Sequence, residues 1–336
     1  MDIAQQPPTI AVIGLGLIGG SLALATHALG ITTLGFARDQ QTRKAAAEAG
    51  LRVTDSLDAL LAGLDGNSIV VIATPLVAAL ELLPQIIAQT PDQVTVTDVV
   101  SVKSPLHEAA LRSAAPHRFV GAHPMAGTTE SGFGAAHIDL LQQARWAITL
   151  DESTDMQRAA AVFELAIAAG GTVTPLTSEQ HDRSVAWISH IPHIIAETLA
   201  AGANWQPALG LGAGSFRDAT RVASTRPELV EQMIGSNPFL AETLREYIDQ
   251  LEHAHSALSN HGRLLPILQA GHLGRTTWEQ RNTDSRATVT VEIDLRHQRA
   301  KAQLLQIGRA GGYLISCSTQ LATALVFDPD APLTGE

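Results

Sequence analysis

Thr9-Ile10-Ala11-Val12-Ile13 runs directly into Gly14-Leu15-Gly16-Leu17-Ile18-Gly19-Gly20 and then into a stretch rich in Ala and Leu. An apolar, largely β-branched run reads as a strand, the glycines as a tight turn, and the stretch beyond as a helix. In that setting the Gly-x-Gly-x-x-Gly spacing has a mechanical meaning. Gly14 permits the turn, Gly16 lets a pyrophosphate approach the backbone, and Gly19 lets the helix pack closely on the strand. The helix N-terminus, beginning at Leu17 and Ile18, presents free amides to the phosphates. The stretch predicts a dinucleotide-binding fold that holds its cofactor at Gly14, Gly16, Leu17, Ile18 and Gly19.

The alternation continues outward. Short β-branched runs lie at residues 31–36, 68–73, 94–97, 119–122, 146–150 and 172–175, with helical stretches such as 41–49, 77–88 and 156–169 between them. That order predicts βαβ units in a parallel sheet, with the ligand loops along the edge where the strands end. After Pro175 the pattern becomes helical as far as about residue 260, with Thr177 or Ser178 as the first N-cap. Pro192 falls inside the first of these helices and predicts a kink. Residues 287–293, 296–310, 313–317 and 321–327 then read as strand, helix, strand and strand. This tail is too short for a complete regulatory domain and is expected to add strands to the helical domain or to a partner chain. The predicted class is α/β: a Rossmann dinucleotide-binding domain (1–176), an all-helical substrate and dimerisation domain (177–285), and a short mixed tail (286–336).

Composition narrows the partners. The 336 residues carry 22 basic and 33 acidic side chains, a net charge of −11, which argues against nucleic acid as a ligand. Cys317 is the single cysteine, so neither a disulfide framework nor a cysteine zinc site is available. His253, His255 and His261 cluster without metal-ligand spacing, and no metal is expected. Met1 to Pro8 show no leader-like pattern and no apolar run is long enough to span a bilayer, so the expectation is a cytoplasmic protein without membrane contact.

The end of the second predicted strand bears on the choice of nicotinamide. An acid there would bind the ribose hydroxyls and mark NAD. Here Ala37 occupies that place and Arg38 follows, which favours NADP, with Thr42 as a further donor to a 2′-phosphate. Asp39 is the competing feature, since a small shift of register would restore an acid for NAD. Thr74-Pro75, at the same sheet edge, is expected to close over the cofactor.

Three further segments place polar residues in apolar surroundings: Asp98–Lys103, His123-Pro124-Met125-Ala126-Gly127, and Ser189-His190-Ile191-Pro192-His193 with Phe216–Arg221. Together with the glycine loop, and in this order, they make the chain resemble the prephenate/arogenate dehydrogenase family of tyrosine biosynthesis over roughly residues 8 to 260. The resemblance implies a cyclohexadienyl substrate, either arogenate or prephenate. Hydride leaves its carbinol carbon for NADP or NAD while carbon dioxide departs. Such chemistry asks for a base at the ring hydroxyl and for cations at the carboxylates. A neutral imidazole suits the base, and the resemblance makes His123 that residue, with Ser101 orienting hydroxyl and nicotinamide. It also implies substrate contacts at His190, Arg221, Asp218, Gly127 and Thr128, and a homodimer formed through the helical domain. Ser101 is compatible with a helix N-cap, Asp218 with a partner for Arg221, and His193 with a structural role.

The chain departs from the family pattern at Val100, Thr129 and Val230, which bears on substrate preference, and Glu130 stands next to Thr129 as a substitute acid. Loss of the ribose acid resembles the NADP-using arogenate enzymes, so arogenate with NADP is favoured. A β-hydroxyacid dehydrogenase would need a lysine in the helical domain, and the three lysines are Lys44, Lys103 and Lys301. A nucleotide-sensing regulator would have no need of the histidines and arginine.

Overall fold

The computed structural model describes residues 7–128, 130–259, 262–282 and 288–327. Its first sheet contains β1 (Thr9–Ile13), β2 (Thr33–Phe36), β3 (Arg52–Thr54), β4 (Ser68–Ile72), β5 (Thr95–Asp98) and β6 (Phe119–Val120), in the order β3-β2-β1-β4-β5-β6. All five pairings are parallel. Along β1, Ile10 and Val12 enter one core and Ala11 and Ile13 the other. A strand buried on both faces must be apolar at every position, which explains the unbroken run at the start of the chain. The strand order reverses between β1 and β4, and the crevice this opens lies beyond their C-terminal ends.

The parallel sheet does not extend through all the strands expected in it. Beyond Val120 the Ala122 amide donates to the side chain of Asp98 (3.1 Å), and the Thr149 amide donates to the Gly121 carbonyl (2.8 Å). The ladder with β5 is thus broken, and β7 (Ala122–Pro124) turns into a second sheet. There it pairs antiparallel with β8 (Arg145–Thr149), which lies parallel to β9 (Thr172–Leu176).

The tail completes this second sheet. Strands β10 (Thr288–Asp294), β11 (Tyr313–Cys317) and β12 (Leu321–Phe327) give the order β10-β12-β11-β9-β8-β7. Joined to β9 at Leu314↔Val173, they belong to the first half of the molecule, where the expectation had been the helical domain or a partner chain. The reason is burial: without β11, β9 would be an open edge, and Leu314, Ala322, Ala324 and Ile293 instead enter the core that already holds Trp146 and Phe163. Lys301 locks the arrangement by donating to the carbonyls of Asp151 and Thr154, each at 2.9 Å.

The helical part begins at Thr177, whose hydroxyl accepts from the Gln180 amide while the Gln180 side chain accepts from the Thr177 amide. Where one kinked helix was expected, an α-helix (Ser178–Val185) passes through a π-helical stretch (Ala186–His190) into a second α-helix (Ile191–Gly202). Pro192 sits in the first turn of the second helix, where its missing N–H costs least. No helix among the described residues is long and apolar enough to cross a membrane.

Candidate active site

The glycine loop lies at the C-terminal end of β1 with the geometry its spacing demands. Gly14 has φ +100°, and a Cβ there would stand 2.7 Å from the Ala73 carbonyl oxygen. At Gly19 a Cβ would lie 2.0 Å from the Gly14 oxygen, so helix and strand approach as only glycine allows. Around Gly16, by contrast, a Cβ would meet nothing within 4 Å, and no side chain caps the helix that starts at Leu17. Open space in front of uncapped amides, with the buried Thr74 hydroxyl left unbonded among the described residues, fits a dinucleotide pyrophosphate. Past β2, Ala37 is buried and Arg38 exposed. Asp39 caps the Gln40–Glu48 helix by accepting from the Thr42 amide at 2.6 Å. The Thr42 amide and hydroxyl hold the Asp39 carboxyl below its ordinary range.

A second group of polar residues gathers where β5, β7 and the Ser178–Val185 helix meet. Asp98 and Lys103, 0% and 1% exposed, form a buried ion pair, and the Lys103 ammonium also donates to the Ala122 carbonyl at 2.7 Å. Burial pushes the Asp98 carboxyl up and the Lys103 ammonium down, and each charge opposes the other's shift. Asp182, fully buried, accepts from the Lys103 and Ser104 amides, both at 2.8 Å, and from His181 Nδ1 at 2.7 Å. Burial works to raise its pKa, but these bonds hold it below the ordinary value and keep it a carboxylate.

That carboxylate sets the tautomers of two histidines. An acceptor-only group opposite His181 Nδ1 puts the hydrogen on that nitrogen and leaves His181 Nε2 a lone pair. His123 Nδ1 stands 2.9 Å from His181 Nε2 and is therefore the donor. The neutral His123 ring then carries its lone pair on Nε2, which bonds to nothing else among the described residues. Burial, then the neighbouring His181, Lys103 and His190, hold the His123 pKa well below its ordinary 6.5. Burial lowers that of His181 too, so both rings are neutral at physiological pH.

Prephenate dehydrogenase models match the chain twice, the nucleotide-binding domain over residues 21–174 and the dimerization domain over residues 177–267. The prephenate dehydrogenase of Bacillus subtilis is 32% identical over 242 residues, covering 69% of this chain and 65% of that one. A Corynebacterium glutamicum structure described as a candidate prephenate dehydrogenase is 33% identical, with a TM-score of 0.83, covering 90% of this chain and 97% of that one. The chain belongs to the prephenate dehydrogenase family. The arogenate dehydrogenase structure from Synechocystis is also similar, at 30% identity and a TM-score of 0.71 over 80% of this chain and 99% of that one.

The other positions that the family resemblance singles out lie on several elements, with His190 close enough to His123 to act on it electrostatically. His190 is buried at the end of the π-helical stretch, 3.1 Å from the Asn237 side chain, with its pKa lowered to about 4 by burial. Ser101 is partly buried and does not cap a helix, because Lys103 occupies the N-cap of the Ser104–Leu111 helix. Gly127 and Thr128 are exposed beyond β7, and Thr128 accepts from the Glu130 amide at 3.2 Å. Thr129 and His261 lie outside the described residues. Arg221 is exposed and close enough to His193 to depress its pKa, after the larger effect of burial. Asp218 pairs with Arg217 at 3.1 Å instead of with Arg221, which lies past the end of the Gly214–Thr220 helix in the 3-10 turn Arg221–Ser224. His193 Nδ1 is buried without a partner among the described residues, so no structural bond accounts for it.

Sequence reasoning missed His181, Asp182 and Asn237. A signal for the first two was present: Ser178, His181, Asp182 and Val185 follow the spacing of a core-facing helix stripe, and three of the four are polar. Asn237, in Ser236-Asn237-Pro238, carries only the signal of a turn.

Proposed function

We propose that the chain catalyses oxidative decarboxylation of a cyclohexadienyl substrate, arogenate in preference to prephenate, with NADP in preference to NAD, as a homodimeric cytoplasmic enzyme of tyrosine biosynthesis. The observation that carries this reading is the lone pair left on His123 Nε2 by the buried His181–Asp182 pair.

The glycine loop, Arg38, Thr42 and Thr74-Pro75 hold the dinucleotide, whose nicotinamide supplies the hydride acceptor. His123 Nε2 takes the ring hydroxyl proton as the carbinol carbon becomes a carbonyl. Loss of carbon dioxide returns an electron pair to the ring and makes that same oxygen a phenolate, which must regain a proton. His123 returns it, and a ring whose conjugate acid is made stronger by burial gives a proton up readily. Ser101 orients the hydroxyl, Arg221 receives the carboxylates, and His190, Gly127, Thr128 and Asp218 supply further substrate contacts. The NADP preference rests on Ala37 at the end of β2 and on Asp39 being committed to its helix cap. Arogenate follows from its association with NADP use and from the likeness to the Synechocystis enzyme. The dimer rests on the dimerization-domain match and on exposed apolar side chains in the helical part, Ile188 at 66% and Leu211 at 84% among them.

The test is reduction of nicotinamide measured with each pairing of arogenate or prephenate with NADP or NAD. Turnover greatest with arogenate and NADP, reduced about 10²-fold or more in His123→Asn with NADP binding kept, is the expected result. No turnover with any pairing, with NADP still bound, would overturn it.

A further inference from the structure

Asn237 lies in the turn between the Pro227–Ile234 and Leu240–Ser259 helices and is 6% exposed. Its Oδ1 accepts from the Phe239 amide at 3.0 Å, and its Nδ2 donates to the Asp182 carbonyl at 2.8 Å. Exchanging the two atoms would set oxygen against a carbonyl and nitrogen against an N–H, so the amide orientation follows from its own partners. The same Nδ2 stands 3.1 Å from His190 Nδ1. Two donors cannot share that bond, so His190 Nδ1 accepts, and the neutral ring carries its hydrogen on Nε2. A pKa of about 4 keeps the ring neutral at pH 7.

His123 and His190 are thereby given opposite tautomers by one network with Asp182 at its centre. The Asp182 carboxylate acts through His181 to leave His123 Nε2 a lone pair. The Asp182 carbonyl acts through Asn237 to leave His190 Nε2 a donor. One imidazole of each kind lets a site remove a proton from one oxygen while donating to another, and neutral rings left to themselves would populate both forms.

We infer that Asn237 is a positioning residue that commits His190 to donating a hydrogen bond from Nε2 to a carboxylate or carbonyl oxygen of the substrate. The role of that oxygen rests on the dehydrogenase reading above; the tautomer does not.

The experiment is nitrogen-15 NMR of histidine-labelled protein with NADP bound, His190 being assigned by its loss in His190→Gln, combined with a double-mutant cycle. The expected spectrum has His190 protonated at Nε2 and His123 at Nδ1. Asn237→Ala is expected to raise KM for the cyclohexadienyl substrate about 10-fold with kcat and NADP affinity little changed, the loss of one neutral hydrogen bond. In the His190→Gln background, where a rotatable amide donates whatever its neighbour, the same change should add less than about 2-fold. Protonation of His190 at Nδ1 in the wild type would overturn the inference, and that spectrum decides even if Asn237→Ala fails to fold. Equal effects of Asn237→Ala in both backgrounds would also overturn it, reducing Asn237 to a turn residue. Absence of turnover by the wild type would instead count against the dehydrogenase reading, with the spectrum still deciding the tautomer.

Discussion

The dinucleotide cradle lies beyond the C-terminal end of β1 and the histidine cluster where β5, β7 and the Ser178–Val185 helix meet, and the two are encoded in opposite ways. The cradle is written in consecutive residues from Thr9 to Gly20, because backbone geometry at Gly14 and Gly19 directly excludes every side chain. The cluster is drawn from Asp98 to Asn237, with bonds that span 58 positions between His123 and His181 and 79 between Lys103 and Asp182. A local motif constrains residue type through sterics, whereas a buried polar network does so through partners that only the fold brings together. Variants of one region should therefore move nucleotide affinity, and variants of the other should move stability and turnover.

The largest effect is expected at Lys103→Met. It strands the Asp98 carboxylate without its cation, a change that typically costs about 3–5 kcal/mol. Urea unfolding should show that loss, while the protein that remains folded binds NADP as before. A loss below about 1 kcal/mol would mean that Asp98 accepts a proton at little cost and that the pair holds nothing together.

At His181 two variants sharpen the comparison. Phe keeps the bulk and removes both bonds, so kcat should fall roughly 10²–10³-fold as His123 becomes free to take the wrong tautomer. Gln carries a donor and an acceptor on one planar group and should recover most of that loss. Dinucleotide affinity by calorimetry should stay within about 2-fold in both. Equal losses for Phe and Gln would reduce His181 to a packing residue.

The smallest effect belongs to the cradle. Arg38→Ala should weaken NADP about 10-fold and leave NAD and kcat unchanged, as loss of a charge-assisted contact to the 2′-phosphate requires. Equal weakening of both nucleotides would place Arg38 at the adenine.

The same contrast explains which features are legible in the sequence. The strand β1, the glycine turn and the change to helices after Pro175 follow from periodicity and local sterics, and they are where the sequence placed them. Three-residue β3, Arg52–Thr54, offers too short a pattern to register, and the Leu265–Asn282 helix has no apolar stripe to reveal it. The break after β6 was illegible because a side chain, Asp98, takes the bond that another strand would have made. The tail was misplaced for a related reason: alternating residues identify strands but do not say which open edge they cover, and Val173 on β9 supplied it. Among the site residues, His123 and His190 were legible as polar residues in apolar company. Their tautomers were not, being set by His181, Asp182 and Asn237, whose sequence context is that of a helix start and a turn.

The central claim is that the buried network keeps His123 neutral with Nε2 ready to accept a proton, and the pH profile of kcat/KM tests it most directly. The neutral ring is the active form, so a pKa depressed by burial extends activity towards lower pH. Between pH 5 and 9 the expected profile is level from neutral pH upward, with a single acid limb whose midpoint lies below 6.5. A midpoint at or above 6.5 would contradict the claim, as would an acid limb that survives unchanged in the residual activity of His123→Asn.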